Sequence, residues 1–362
     1  MTIHRWEYGI THSNGDVDEF LHSFFDGSGR KVVLIAGAGF DPRSTIIAER
    51  LASLSGIDIR AIFIREVRPD PNEKLIKLAE AHADKQVAAI PANRVVEVPI
   101  FGSDNSVIGG RRVAALLDAD DFADATDVIV DVSALSVGIS FPAIKFVHEA
   151  AGSSGSGYNV HLFVVHQPEL DARITAVPID TMTPVHGFNG GLTLTSQSQA
   201  SAKLWLPQLA PGKSATLRII HEKLAPDDVC PLIPFPASHP RLGDSYLEEL
   251  LTSGGIPWDM DSRSVVHADE SDPLDLYRTI MRLYDLREPV FKEFGGSKLI
   301  LSPVGSKVMA LGALLAALER DLPVVYIEDF SYDLVEEVAS NDPGEPHVLH
   351  LWLDVAPSLQ EA

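Results

Sequence analysis

Between residues 31 and 166 the chain alternates short apolar runs with stretches whose apolar residues recur every three or four positions. The runs Lys31–Ala36, Ile59–Glu66, Arg94–Phe101, Asp127–Val132 and Asn159–His166 have the length and β-branched content of strands. Helices are predicted from near Ser44 and over about 72–84, 110–117 and 141–150. The pattern weakens over 168–212, where proline, threonine and glycine are scattered. It returns with a helix over 214–224, a strand at Val229–Ile233, a helix over 245–251, a strand at Ser264–His267 and a long helix over 273–294. The clearest unit comes last: a strand from Lys298, a tight loop at Ser302–Lys307, a helix carrying Val308, Met309, Leu311, Leu314, Leu315 and Leu318, and a second strand to Glu328. That is one parallel crossover.

This alternation predicts an α/β protein with mostly parallel, doubly wound sheets in two Rossmann-like halves. The expected division is a helical preface over 1–30, a first half over 31–168, a connection over 169–212 and a second half over 213–362, closed by a strand at His347–Leu353. In the preface Gly9–Gly15 reads as a turn, and Asp16 as the cap of a helix bearing Val17, Phe20, Leu21, Phe24 and Phe25. The Gly/Ser tract Gly152–Gly157 reads as a surface loop.

In open parallel sheets ligands gather beyond the carboxyl ends of the strands. Four loops occupy such positions: Gly37–Arg43, Asp131–Ser136, Pro234–Asp244 and Ser302–Lys307. In the first, Gly37 and Gly39 permit close backbone approach, and Arg43 suits a phosphate or carboxylate or, equally, a structural turn. Phe40 and Asp41 lie between them. Glu66 ends the second strand where a dinucleotide-binding fold places its ribose acid, a place that a solvated edge residue also fits. Ser133 follows Asp131 without the glycines of a nucleophile elbow. Arg241 could meet a ligand or pair with Asp244. At the last loop Gly305, Ser306 and Lys307 stand at a helix N-terminus, where unbonded N–H groups and the helix dipole favour an anion.

Composition narrows the classes. A formal charge of −22 and a pI near 4.9 exclude a broad basic surface for duplex nucleic acid. The single cysteine, Cys230, excludes an internal disulfide and a multi-cysteine zinc site and suits a reducing cytosol. His161 and His166, and His347 and His350, form no metal-ligand pattern on their own strands. The only Gly-Lys-Ser, Gly212–Ser214, lacks the glycine five positions earlier and a clear preceding strand, so no P-loop is read. No apolar run approaches a membrane span and Met1–Tyr8 carries no signal pattern, so a soluble cytoplasmic protein is expected.

The run Gly305-Ser-Lys-Val-Met-Ala-Leu-Gly312, with Val324–Glu328 after it, resembles the CARF-type Rossmann domains of CRISPR-associated sensor proteins over roughly 30 residues. The resemblance implies that Gly305, Ser306 and Lys307 lie beside a cyclic or linear oligonucleotide, faced by the loop Gly37–Phe40. Where that family often has two glycines and a threonine, this chain has Val304-Gly305-Ser306. A second resemblance, to adenosylmethionine-dependent methyltransferases of the leucine carboxymethyltransferase type, rests on Gly37, Gly39, Asp41 and Arg43, with Glu66 as a ribose partner. Together these readings imply a small phosphate-bearing ligand, a nucleotide or oligonucleotide before adenosylmethionine. The protein is then a binding subunit of a prokaryotic antiviral or stress sensor. The alternatives are a methyltransferase and a non-catalytic subunit docking a protein partner or a second copy of itself. No resident metal is implied and no complete catalytic constellation is present.

Overall fold

The structure, a computed structural model, describes residues 3–153, 157–190, 201–252, 262–334 and 344–356. It is α/β throughout, and the chain divides into two compact units. The larger comprises Gly9–Val177 and Asp329–Ala362, the smaller Met1–Tyr8 and Pro178–Glu328.

The larger unit begins with β1 (Ile10–Ser13) and α1 (Gly15–Phe24), then alternates β2 (Lys31–Gly37), α2 (Ile46–Ala52), β3 (Asp58–Val67), α3 (Glu73–Ala89), β4 (Asn93–Pro99), α4 (Gly109–Leu116), β5 (Asp127–Asp131), α5 (Val137–Ser153) and β6 (Asn159–His166). A single turn, α6 (Pro168–Asp171), follows, and β7 (Ile174–Pro184) leads into the smaller unit. There the elements are β8 (Ala202–Pro207), α7 (Ser214–Leu224), β9 (Asp228–Val229), β10 (Leu232–Pro234), α8 (Leu242–Thr252), β11 (Val266–Ala268), α9 (Pro273–Phe291), β12 (Ser297–Ser302) and α10 (Lys307–Arg320). The chain returns along β13 (Val325–Leu334), which pairs with β7, and ends with β14 (His347–Asp354).

The larger unit's sheet has the order β1-β14-β6-β5-β2-β3-β4. From β6 to β4 all pairings are parallel, and β14 and β1 add antiparallel edges. Strands β2, β5 and β6 are buried along nearly their whole length, as parallel strands covered on both faces must be. Helix α1 lays Val17, Phe20, Leu21 and Phe25 against Val32, Leu34, Phe163 and Val165.

In the smaller unit β12, β8 and β9 form a parallel sheet. Single bridges, Gln208 to Leu232 and Leu301 to Val324, carry it on to the parallel pair β10-β11 and to the start of β13. With β9 and β10 counted as one interrupted strand, the spatial order is β13-β12-β8-β10-β11. Its core gathers Trp205, Leu217, Ile220, Ile300, Val325 and Ile327. In chain order the two parallel sheets have the same topology: the first strand is central, two strands follow on one side and two on the other. Each therefore has a switch point beside its first strand.

The sequence-based division differs from this in three places. His347–Asp354 joins the larger sheet between β6 and β1 rather than closing the second half. The expected connection contains β8, the central strand of the smaller sheet. The preface is split: Trp6 packs edge-on against Tyr277 in the smaller unit, while the expected turn at Gly9–Gly15 is largely the edge strand β1. Asp16 lies in the first turn of α1; its cap position is Asn14, whose Oδ1 accepts from Val348 N–H at 3.1 Å. Part of the Gly152–Gly157 tract lies outside the described residues.

Candidate functional site

In the larger unit the switch point falls between β2 and β5, so the loops Gly37–Arg43 and Asp131–Ser136 border it. They meet each other there. A Cβ on Gly37 would stand 2.8 Å from the carbonyl oxygen of Ala134, so glycine is required by the protein's own packing. A Cβ on Gly39 would meet nothing within 4 Å. From α3, Gln86 donates to the carbonyls of Gly37 (2.9 Å) and Ser44 (2.8 Å), and His82 Nδ1 lies 3.2 Å from that of Gly39. The Phe40 ring lies 5.6 Å from that of Tyr332.

The charged residues of this loop pair internally. Arg43 is buried; its Nε donates to Asp41 at 2.9 Å, and its Nη2 to Asp41 and Asp171 at 2.7 Å each. Burial opposes its charge, but the two carboxylates outweigh it and hold the guanidinium protonated. Asp41 also caps the turn that opens at Pro42, accepting from Arg43 N–H. Ser133 is fully buried: its hydroxyl donates to Asp131 and accepts from Val165 N–H at 2.8 Å, which ties the β5 loop to β6.

Glu66 reaches past the end of β2 to the opening of α5, where Oε1 accepts from Ser136 N–H at 2.7 Å. Its other oxygen accepts from Arg68 at 2.9 Å. Arg68, not singled out in the sequence, also donates to the Asp329 carbonyl and stacks 4.8 Å over Tyr332. The chain thus supplies its own carboxylate to the helix terminus nearest the switch point.

In the smaller unit the corresponding point lies between β8 and β12. Helix α10 begins at Lys307 and is capped by Ser306, whose Oγ accepts from Met309 N–H at 3.3 Å. There is no acidic residue in its first turn. The N–H groups of Gly305 and Ser306 bond to nothing among the described residues. Gly305 lies directly on Gln208, the residue after β8; a Cβ there would be 3.2 Å from Gln208 Oε1. Gln208 is 1% exposed, and neither atom of its side-chain amide has a hydrogen-bond partner among the described residues. Its backbone N–H donates to the Ser302 carbonyl at 3.0 Å, which fixes it beside the loop.

Gly212–Ser214 does follow a strand, β8, contrary to the sequence reading, which finds no clear strand before it; Ala202–Pro207 holds no β-branched residue. Pro207 still stands where a P-loop needs glycine, and Gly212 N–H donates to Glu249 at 2.8 Å. Arg241 pairs with Glu248 at 3.6 Å rather than with Asp244, both side chains being exposed.

A row of histidines crosses the larger sheet near the β1 edge. His12 Nδ1 lies 2.9 Å from His350 Nδ1, His350 Nε2 lies 3.0 Å from His161 Nδ1, and His161 Nε2 lies 3.2 Å from Asp127 Oδ1. His350 directs its two nitrogens to different neighbours, so the row has no common centre for a metal, and no metal-holding cluster occurs among the described residues. Burial lowers the pKa of all three imidazoles, that of His350 most strongly. No described helix is long and apolar enough to cross a membrane. A scan of the chain against protein-family models finds no match, and no curated protein matches it.

Proposed function

We propose that this chain is a binding protein for a nucleotide-derived ligand, and that the smaller unit holds the ligand's phosphate at the N-terminus of α10. The observation that carries this reading is Gln208: among the described residues it is a buried amide with neither end bonded, pressed against Gly305, whose N–H and that of Ser306 are unused. Leaving such an amide unpaired costs about 1–3 kcal/mol, which a fold tolerates where the group has work to do. A phosphate at this terminus gains the N–H groups of Gly305 and Ser306, the helix dipole and the charge carried by Lys307. The larger unit supports the same reading by analogy, since at its corresponding helix the Glu66 carboxylate already stands in the place of an anion.

The methyltransferase reading loses support, because the Asp41, Arg43 and Glu66 it relies on are bonded to the protein itself. The likeness of Gly305–Gly312 to sensor domains favours a sensing subunit of a defence or stress system over an enzyme. Titration calorimetry of the full chain with ATP, a cyclic oligoadenylate and adenosylmethionine tests this. Binding of ATP, shared or not by the oligoadenylate and weakened at least about tenfold by Lys307→Ala, is expected, given the roughly 1.5–3 kcal/mol of a charge-assisted contact. Binding of adenosylmethionine alone, or affinity indifferent to Lys307, contradicts it.

A further inference from the structure

Strands β10 and β11 outrun their neighbours at the carboxyl edge of the smaller sheet. Pro207 at the end of β8 pairs with Ser302, and Gln208 is level with Leu232, yet β10 continues to Pro234 and Phe235 N–H still donates to the Ala268 carbonyl at 2.7 Å. Phe235 therefore stands three residues, about 10 Å, above the level of Gln208, one strand away from β8. It is 63% exposed. Its ring meets the exposed ring of His267 on β11 edge-on, at 5.9 Å.

This exposure is held in place. The segment after Phe235 is fastened by Glu270, which is buried: its N–H donates to the Pro236 carbonyl at 3.0 Å, and its carboxylate accepts from Ser238 N–H at 2.7 Å. An aromatic ring kept in water by a fixed backbone gives up little freedom when a partner covers it. The place is also telling. Phe235 directly follows the second strand of its sheet, the strand near whose end the larger unit carries Glu66 and dinucleotide-binding folds carry a ribose-binding acid. Here the residue offers a ring face and no carboxylate.

We infer that Phe235, with His267 beside it, is the stacking platform for the base of a nucleotide whose phosphate lies at α10. The inference rests on the phosphate reading of α10 and adds the requirement for an aromatic base. Two strand spacings, about 10 Å, separate β12 from β10, a span suited to an extended nucleotide lying across the end of β8. Stacking accepts any base face, so recognition here favours nucleotides as a class.

The test compares ATP with inorganic triphosphate on the full chain, using wild type, Phe235→Ala, Phe235→Trp and Lys307→Ala. Because Phe235 is exposed, its variants should melt with the wild type. The expected result is that Phe235→Ala weakens ATP about tenfold, the scale of one base-aromatic stack, leaves triphosphate unchanged, and that Phe235→Trp restores ATP binding. Equal ATP affinity in wild type and Phe235→Ala overturns the platform while leaving the phosphate site standing, as does an equal loss of ATP and triphosphate. Failure of the wild type to bind either probe, or indifference of both to Lys307→Ala, overturns the phosphate site and the platform with it.

Discussion

Two sheets of one topology sit in this chain, and their switch points are built in opposite ways. In the larger unit Gly37 is pressed onto Ala134, Arg43 is held between Asp41 and Asp171, and Glu66 covers the entry to α5. In the smaller unit the glycine lies in the other loop, at Gly305, its neighbour is the unbonded amide of Gln208, and the N–H groups of Gly305 and Ser306 are unused. The first arrangement stabilises a fold. The second leaves polar groups whose bonds something else must complete. A Rossmann-like topology therefore shows where a ligand can sit, and the hydrogen-bond inventory separates the open place from the closed one.

The comparison is broken most forcefully at Arg43. Replacing it with methionine removes the partner of a buried carboxylate, and a loss of about 3–5 kcal/mol in a denaturant titration is expected, with ligand affinity retained in the protein that folds. A loss below 1 kcal/mol would mean that the ion pair does not close the larger unit. Next is Gly37→Ala, which should cost about 1–3 kcal/mol, because the new methyl meets backbone rather than a movable side chain. Gly305→Ala would bring its methyl to 3.2 Å from Gln208 Oε1, 3.3 Å from Gln208 Cβ and 3.4 Å from the Leu209 carbonyl, gaps wider than the 2.8 Å at Gly37, so its stability should fall by about 1 kcal/mol or less while nucleotide affinity falls. Equal stability losses at the two glycines would erase the contrast.

The larger unit also has a pH signature. The pKa values of His161 and His350 are lowered by burial, so the unfolded chain binds more protons than the folded one once pH falls through the ordinary histidine value near 6.5. Stability should be level above that and decline below it, by up to about 1.4 kcal/mol per pH unit for each of the two. Half-exposed His12 adds little. Asp127, which burial pushes up but its His161 bond and other partners hold low overall, contributes only below about pH 4. Urea titrations from pH 8 to 5 check this. A flat profile, or one that His350→Phe does not flatten, contradicts the neutral histidine row. At Gln208 the expected change in stability is a gain. Leucine there should raise stability by about 1 kcal/mol, since an unpaired amide is removed, and should weaken the ligand.

The β-branched apolar runs of β2, β3, β5, β6 and β12 declare themselves in the sequence, and so does the Gly305-Ser306-Lys307 helix entry, because strand burial and capping are local. Strand β8 did not, holding no β-branched residue and lying in a stretch of scattered proline and glycine, nor did β1, a four-residue edge followed by Asn14 and Gly15. Strand β14 was legible as a strand but not as a member of the first sheet, since pairing with β6 is a long-range fact. The same limit governs the sites. Arg43 finds Asp171 across 128 residues and Glu66 finds Ser136 across 70, so residues that read as ligand contacts are paired inside the fold. Gln208 carries no motif, and only its burial beside Gly305 sets it apart.

The most direct measurement is hydrogen exchange of the full chain with and without saturating ATP. Slowed exchange over 305–308, with the amides of 37–43 unchanged, is the result predicted for an open smaller unit and a closed larger one. Slowing at 37–43 with none at 305–308 would reverse the assignment of the two switch points.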